Sequence, residues 1–142
     1  EELGRRYRLN LTNRPFWLNN EFVFLGEIPE NKSADIDDTA LVHKTNEGIF
    51  IITGCSHSGI INIINYAKQV CKEGRILGVL GGFHLLKKSE EELEEICSLM
   101  LEAGVNPEYP LYPCHCCDLK SKIIMSKFFN VQEVCTGDVL NC

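Results

Sequence analysis

The feature that most constrains the fold is an alternation of short apolar segments with amphipathic ones. Residues 49–53 (IFIIT) are apolar enough to form a strand, and the stretch that follows places apolar side chains at helical spacing as far as Cys71. A second apolar segment over 76–80 is followed by Ser89 and Glu92, which have the spacing of a capping box at the start of another helix. Strands that alternate with helices predict an α/β fold with helices packed on a sheet.

Further strands are expected before and after this alternation. The predicted elements are a strand over 21–28, a hairpin joining 39–44 to 49–53 through Asn46-Glu47-Gly48, a strand over 111–114, a helix carrying Leu119, Ile123, Phe128 and Phe129, and a last strand over 133–136. The polar, acidic stretch 30–38 is predicted to be a loop. We therefore predict an irregular N-terminal segment over 1–20 and a single α/β domain with a mixed sheet over 21–142.

Length, charge and composition exclude several classes of protein. The 142 residues correspond to about one domain, with 44% hydrophobic and 24% charged residues, as in ordinary soluble proteins. A net charge of −6 argues against nucleic acid as the main partner, because binding phosphates requires clustered Lys and Arg. No stretch approaches the roughly 20 apolar residues that span a membrane, and the first residues lack the apolar run of a secretory signal. We expect a cytoplasmic protein without a membrane partner.

Eight cysteines are many for a chain of this size. A disulfide framework fits poorly, because the α/β pattern already supplies a hydrophobic core. We interpret the thiols as reduced, and as mostly buried or facing a metal ion. The run Cys114-His115-Cys116-Cys117 can also bind a soft metal ion by itself, and this alternative stays open.

Three of the four histidines directly follow predicted strands. They are His57, His84 and His115. Because the carboxyl ends of strands line the ligand crevice of an open α/β sheet, we expect their rings to lie within about 5–8 Å of one another at one sheet edge. The glycines beside them, Gly54 and Gly82 among others, allow a close backbone approach to a ligand or simply form tight turns.

Several segments, taken together, resemble one branch of the metallo-β-lactamase superfamily. They are 25–29 (LGEIP), 37–41 (DDTAL), 52–63 (ITGCSHSGIINI), 81–85 (GGFHL) and 114–116 (CHC). This branch includes the dihydropterin–ribofuranosylaminobenzene phosphate synthase group. The resemblance implies the C-terminal half of a four-layer αβ/βα sandwich, with helices packed on one side of its mixed sheet. It also implies one or two metal ions, zinc or manganese, at the sheet edge.

The resemblance assigns roles to particular residues. It makes His57 and His115 metal ligands and His84 a catalytic residue that binds substrate or transfers a proton. Cys55 occupies a turn where other superfamily members often place an aspartate, so its thiol either contacts a second metal ion or fills a buried space. Substrate contacts are expected from the turn residues Gly54, Ser56, Gly82 and Phe83.

Two departures from the family pattern limit this interpretation. The His-x-His-x-Asp-His motif of the superfamily's N-terminal half is absent, and Cys117-Asp118 stands where the branch usually has Thr-Gly. One hypothesis is therefore part of a metal-dependent hydrolase, or of a phosphate- or pterin-type transferase, with an incomplete metal site. The alternatives are a non-catalytic α/β interaction module and a thiol-rich metal-binding or redox module.

The implied partners follow from the same resemblance. They are a small, possibly phosphorylated substrate and either the missing N-terminal half or a second copy of this chain. Half of a sandwich should expose an apolar sheet face, so we expect Val23, Leu41, Phe50 and Ile52 to lie on such a face and to favour a dimer or higher oligomer.

Overall fold

The computed structural model describes residues 9–29 and 38–140. Within them, seven strands form one sheet in which the spatial order follows the chain. The strands are β1 (Phe16–Trp17), β2 (Phe22–Phe24), β3 (Ala40–Lys44), β4 (Ile49–Thr53), β5 (Ile76–Gly81), β6 (Pro110–Pro113) and β7 (Asn130–Val131), and the helices are α1 (Ile60–Cys71), α2 (Glu90–Glu102) and α3 (Leu119–Met125). Strands β1 to β4 pair antiparallel and β4 to β7 pair parallel, which confirms the predicted mixed α/β fold.

The two longer helices form where the sequence pattern predicts them. Helix α1 buries one apolar face, made of Ile60, Ile63, Ile64, Ala67 and Cys71. Helix α2 begins at the predicted capping box, in which the Ser89 hydroxyl accepts a hydrogen bond from the Glu92 amide at 3.2 Å. The Glu92 carboxylate in turn accepts one from the Ser89 amide at 2.7 Å, so two amides at the helix start are satisfied.

One face of the sheet packs against the helices. Pairing in register aligns one fully buried residue on each of five neighbouring strands: Val23, Val42, Ile51, Val79 and Leu111. These residues belong to the same hydrophobic cluster as the buried faces of the three helices. Since strand side chains alternate between faces, every second residue of each strand contributes to this core.

The opposite face of the sheet is apolar and only half-buried. Its members, which lie between the core positions along the strands, are Phe22, Phe24, Leu41, Ile52, Leu80 and Tyr112. We call this set the open face. The placement of Val23 on this face was wrong, because Val23 pairs with Val42 and points into the helical core.

Phe50 also differs from the expectation. It lies on the side of the open face but is only 3% exposed. Its ring covers Gly78, where an added Cβ would approach the ring within 2.6 Å, and it lies 6.2 Å from the ring of Tyr112. A glycine inside a strand often marks such a close approach, and here it allows an aromatic ring to lie flat on the sheet.

Several predicted boundaries and faces were wrong. The last strand lies at 130–131 rather than 133–136, and β2 is shorter than the strand predicted over 21–28. In α3, Ile124 and Met125 are buried, whereas Leu119 and Ile123 are 73% and 54% exposed, so the predicted apolar face was misplaced.

The predictions for the two irregular segments are only partly covered by the structure. Residues 1–8 of the predicted irregular N-terminal segment lie outside the described residues, and its described part contains β1. Most of the predicted loop over 30–38 also lies outside the described residues. Among the helices of the described residues, none has the length and apolar character needed to cross a membrane.

The core on α1 can be tested by removing side-chain volume. Ile63 is fully buried, so Ile63→Ala should lower the free energy of unfolding by about 2–5 kcal/mol through lost burial and a residual cavity. Ile123→Ala on the exposed side of α3 is the matched control and should change it by less than about 0.5 kcal/mol. Urea unfolding followed by circular dichroism measures both, and equal losses would contradict the assigned core.

Candidate metal centre

The loops that leave β4, β5 and β6 are held together by backbone hydrogen bonds beyond the ends of the strands. The Gly82 amide donates to the Gly54 carbonyl at 2.7 Å, and the Cys114 amide donates to the Gly81 carbonyl at 2.7 Å. These bonds extend the parallel pairing by a residue or two past each strand. As a result, the three loops emerge side by side at the carboxyl edge of the sheet, where α/β proteins place their ligands.

Two glycines allow this close approach. At Gly81, where φ is 141°, an added Cβ would lie 2.3 Å from the Thr53 carbonyl oxygen. At Gly82 it would lie 2.7 Å from Nε2 of His115 and 2.8 Å from Sγ of Cys116. The β5 loop thus has no room for side chains at these positions, and the space beside Gly82 is filled by the loop after β6.

Cys55, His84 and Cys116 converge between these loops. Their potential ligand atoms all lie within 4.8 Å of one another. The Cys55 sulfur is 3.6 Å from Nδ1 of His84, and the Cys55 thiol donates to the Cys116 sulfur at 3.2 Å. The backbone amide of His84 also donates to the Cys116 sulfur at 3.2 Å. We call these three residues the thiol–imidazole cluster.

The backbone around this cluster is strained. Among the described residues other than glycine, Ser56, His84 and Cys116 are three of the five with positive φ, at 57°, 53° and 55°. A side chain in the left-handed region costs roughly 1 kcal/mol or more, and such residues are concentrated at functional sites. One of the three lies on each of the three converging loops.

The two other histidines predicted at this edge lie beside the cluster. The ring of His57 stands edge-on to the ring of His84, with 4.9 Å between centroids and 82° between planes. The ring of His115 rests against the backbone of Gly82, and both His57 and His115 are exposed. The structure thus brings His57 and His84 together and places His115 against the neighbouring loop, while their chemical roles stay predictions.

A cavity of about 210 Å³ opens next to the two adjacent histidines. Its walls include Ser56 and Phe83, two of the four predicted substrate contacts, together with His57, His84 and Lys88. Ser56 and Phe83 are almost completely buried themselves. Gly54 and Gly82 do not line this cavity and instead hold the loops together, as described above.

The run of cysteines after β6 does not converge as a unit. Cys116 joins Cys55 and His84, but the Cys114 thiol donates to the Tyr112 carbonyl at 3.4 Å. Burial raises the pKa of the Cys117 thiol, and the amides of Phe83 and Leu85 oppose this rise. The chain turns at His115 and Cys116, where Cys116 has positive φ, and the Cys114 and Cys116 thiols face different partners. A metal site made of this run alone is therefore not what the structure presents.

The seven cysteines within the described residues are all free thiols. Cys71 and Cys97 are buried in the core, and Cys135 is exposed. Burial raises the pKa of Cys116 to about 12. In the absence of a cation, the Cys116 thiol is therefore protonated at neutral pH.

Asp38 is a site residue whose function the sequence analysis missed. Its carboxylate is 9% exposed and accepts a hydrogen bond from the Ser58 amide at 2.5 Å. Gly59, the residue before α1, has no side chain to cap the helix. Asp38, which lies twenty residues before Ser58 in the chain, supplies an anion near the positive end of the helix instead. Asp38 lies within segment 37–41 of the family resemblance, but nothing local in the sequence predicts that its carboxylate binds the Ser58 amide.

The donor atoms at this edge are suited to a transition metal ion. For a tetrahedral zinc ion, bond lengths of about 2.3 Å to sulfur and 2.0–2.1 Å to nitrogen put the two donors roughly 3.5 Å apart. The observed Cys55–His84 distance of 3.6 Å agrees with this value. Imidazole and thiolate donors are also the types that zinc prefers, so the residues present fit a metal ion.

Known proteins with related sequences are longer than the matching region. No protein-family profile matches the chain. The chain is 27% identical over 143 residues to the uncharacterized protein MJ0448 of Methanocaldococcus jannaschii, covering 92% of this chain and 53% of that protein. It is 26% identical over 93 residues to the 7,8-dihydropterin-6-methyl-4-(β-D-ribofuranosyl)-aminobenzene-5′-phosphate synthase of the same organism, covering 66% of this chain and 31% of the synthase.

A solved structure matches nearly the whole chain. The crystal structure of Tm1679, a metal-dependent hydrolase of the β-lactamase superfamily, matches with a TM-score of 0.79 and 30% identity over 93% of this chain and 57% of that one. These matches confirm the resemblance to the metallo-β-lactamase superfamily and to its phosphate synthase branch. The chain spans about half the length of Tm1679 and of MJ0448, and about a third of the synthase.

The packing of the β6 loop on Gly82 can be tested with a single methyl group. Gly82→Ala should displace His115 and Cys116, because the new Cβ would lie under 3 Å from both side chains, and should cost about 1–3 kcal/mol of stability. Gly54→Ala is the control, since nothing lies within 4 Å of its Cβ position. Chemical shifts of the His115 and Cys116 amides report the displacement, and unchanged shifts in Gly82→Ala would refute the packing.

Proposed function

We propose that this chain forms the C-terminal part of a metal-dependent hydrolase, or of a phosphate- or pterin-type transferase, of the metallo-β-lactamase superfamily. The observation that carries the proposal is the convergence of three strand-end loops, which bring His57, His84 and the β6 loop with His115 to one sheet edge. The similarity to Tm1679 over 93% of the chain supports the same class of chemistry.

In this proposal the exposed rings of His57 and His115 bind metal, and His84 lies between His57 and the thiols. A bound divalent ion supplies Lewis-acid polarisation of a substrate oxygen and makes a water molecule more acidic. The imidazole of His84 lies at the cavity wall, where in this proposal it binds the substrate or transfers a proton to it. Imidazole donors favour zinc over manganese, which prefers oxygen ligands.

The substrate we propose is small and phosphorylated. The 210 Å³ cavity has the size for one substituent of a metabolite rather than for a polymer. Its wall includes the cationic side chain of Lys88, whose charge attracts an anion. The similarity to the phosphate synthase also supports a phosphorylated substrate. Free thiols throughout the described chain fit the reducing cytoplasm.

Two histidines are too few for a two-metal centre, because catalytic zinc sites generally use three protein ligands per ion and a water. The remaining ligands in this proposal come from the segment that corresponds to the rest of the relatives' length, supplied in the same polypeptide or by a partner. The open face supports such an arrangement, since six apolar side chains there are only half-buried. A complementary half of the sandwich would cover them.

Complementation tests this function directly. The 142-residue chain alone should show negligible phosphoesterase or lactonase activity with added zinc or manganese. Adding the N-terminal half of a relative at saturating concentration should raise both metal retention and turnover, and His115→Ala should abolish the gain. Metal content by mass spectrometry and turnover of a chromogenic phosphoester measure the two effects.

The control for this experiment is the fourth histidine. His43 lies within β3, where its ring stacks on Phe22 at 4.6 Å, far from the strand ends of the parallel sheet. His43→Phe preserves the stacking and should leave the gain intact. Robust metal-dependent hydrolysis by the chain alone would show that the proposed incomplete site is wrong.

The open face should make the chain associate when nothing else covers it. Leu41 and Ile52 are paired in register near its centre, so a Leu41→Lys/Ile52→Lys variant should convert a dimer or higher oligomer into a monomer. Leu99→Lys, on the exposed side of α2, should leave the oligomer unchanged. Sedimentation velocity at micromolar concentration measures the result, and a monomeric wild-type chain would contradict self-association.

A further inference from the structure

We propose that Cys55, His84 and Cys116 form a separate binding site for one borderline-soft metal ion of the zinc type, distinct from the metal site proposed at His57 and His115. The site rests on the cluster geometry alone and does not require the hydrolase function. Its ligands come from all three strand-end loops, so one ion would connect the ends of β4, β5 and β6.

The distances in the thiol–imidazole cluster are near those of a metal-bound state. Tetrahedral zinc would separate the two sulfurs by roughly 3.8 Å and each sulfur from the ring nitrogen by roughly 3.5 Å. The observed sulfur–sulfur distance is 3.2 Å and the Cys55–His84 distance is 3.6 Å. The third pair, the Cys116 sulfur and the His84 ring, lies within 4.8 Å. Insertion of an ion therefore requires the thiols to move apart by about 0.6 Å and the His84 ring to approach Cys116 by about 1.3 Å at most.

The Cys116 sulfur has a hydrogen-bond donor that would remain when an ion is bound. It accepts hydrogen bonds from the His84 amide and from the Cys55 thiol, each at 3.2 Å, and its own thiol faces the Cys55 carbonyl at 3.7 Å. An ion would displace the protons of both thiols to solvent, and the His84 amide would then stabilise the charge on the Cys116 sulfur. Backbone amides that donate to ligating groups fix their orientation and tune the metal.

The strained backbone is part of the same arrangement. Both His84 and Cys116 have positive φ, and this conformation turns the His84 amide toward the sulfur while its ring faces Cys55. Neither residue gains core burial by this arrangement, since His84 is exposed and Cys116 is half-buried. Strain held without a packing benefit is typical of a binding site.

The proposal also restricts what His84 can do. Ligation through Nδ1 leaves the proton of a neutral imidazole on Nε2. That nitrogen can then donate a hydrogen bond but cannot accept one. A loaded site would therefore make His84 a hydrogen-bond donor to the substrate rather than a general base.

Cobalt substitution under reducing conditions tests the site without any activity measurement. Titration of the full chain with Co²⁺ should give one equivalent of binding and an intense sulfur-to-cobalt charge-transfer band in the near ultraviolet. Cys55→Ser and Cys116→Ser should each reduce this band by about half or more. Each variant should also weaken Co²⁺ affinity by more than the roughly 10–100-fold loss that follows removal of a hydrogen-bond partner of a metal ligand.

Matched controls separate this site from the others. Cys114→Ser removes a half-buried thiol two residues away whose sulfur faces the Tyr112 carbonyl, and it should leave the band unchanged. His115→Ala should also leave it unchanged, because His115 belongs to the metal site of the proposed function. A band that keeps its full intensity in Cys116→Ser would overturn the proposal. A band that His115→Ala abolishes while both cysteine variants keep it would also overturn this separate site.

X-ray absorption of the zinc-loaded wild-type chain keeps the test decisive if a variant fails to fold. The proposal requires two sulfur scatterers and at least one imidazole around the ion. A first coordination sphere of nitrogen and oxygen only would overturn it, even when the chain binds zinc stoichiometrically.

Discussion

The candidate site depends on backbone pairing that continues past the ends of the parallel strands. Backbone hydrogen bonds from Gly82 to Gly54 and from Cys114 to Gly81 hold three consecutive loops side by side at the carboxyl edge of the sheet. Side chains 61 residues apart in sequence, such as those of Cys55 and Cys116, meet only because of this extension. Each of these hydrogen bonds involves a glycine, so residues without side chains position the cysteine and histidine side chains at this edge.

The resulting site combines two sets of donors with different character. The rings of His57 and His115 are exposed. The thiol–imidazole cluster lies between the three loops and uses donors from this chain only. The cluster supplies three donors, so a tetrahedral ion bound there would connect the three loops and keep one open position.

How much of this could be predicted differs between levels of structure. Apolar segments and a capping box were enough to predict β4, β5, α1 and α2, and the placement of histidines after strands indicated the functional edge. The contact between Cys55 and Cys116 could not be predicted, because it depends on left-handed backbone at His84 and Cys116, a conformation that side-chain chemistry does not reveal. Likewise, Val23 was assigned to the wrong face because a shift of one residue in a short strand exchanges its two sides.

The left-handed residues also bear on how this sequence can change over time. At His84 and Cys116, glycine would relieve a local backbone cost of the order of 1 kcal/mol and would be the residue that stability alone selects. Retaining a histidine and a cysteine there means that the chain gives up some stability at the two positions that supply donors. Drift toward glycine at these two sites in a descendant would therefore mark the loss of the site before any loss of the fold.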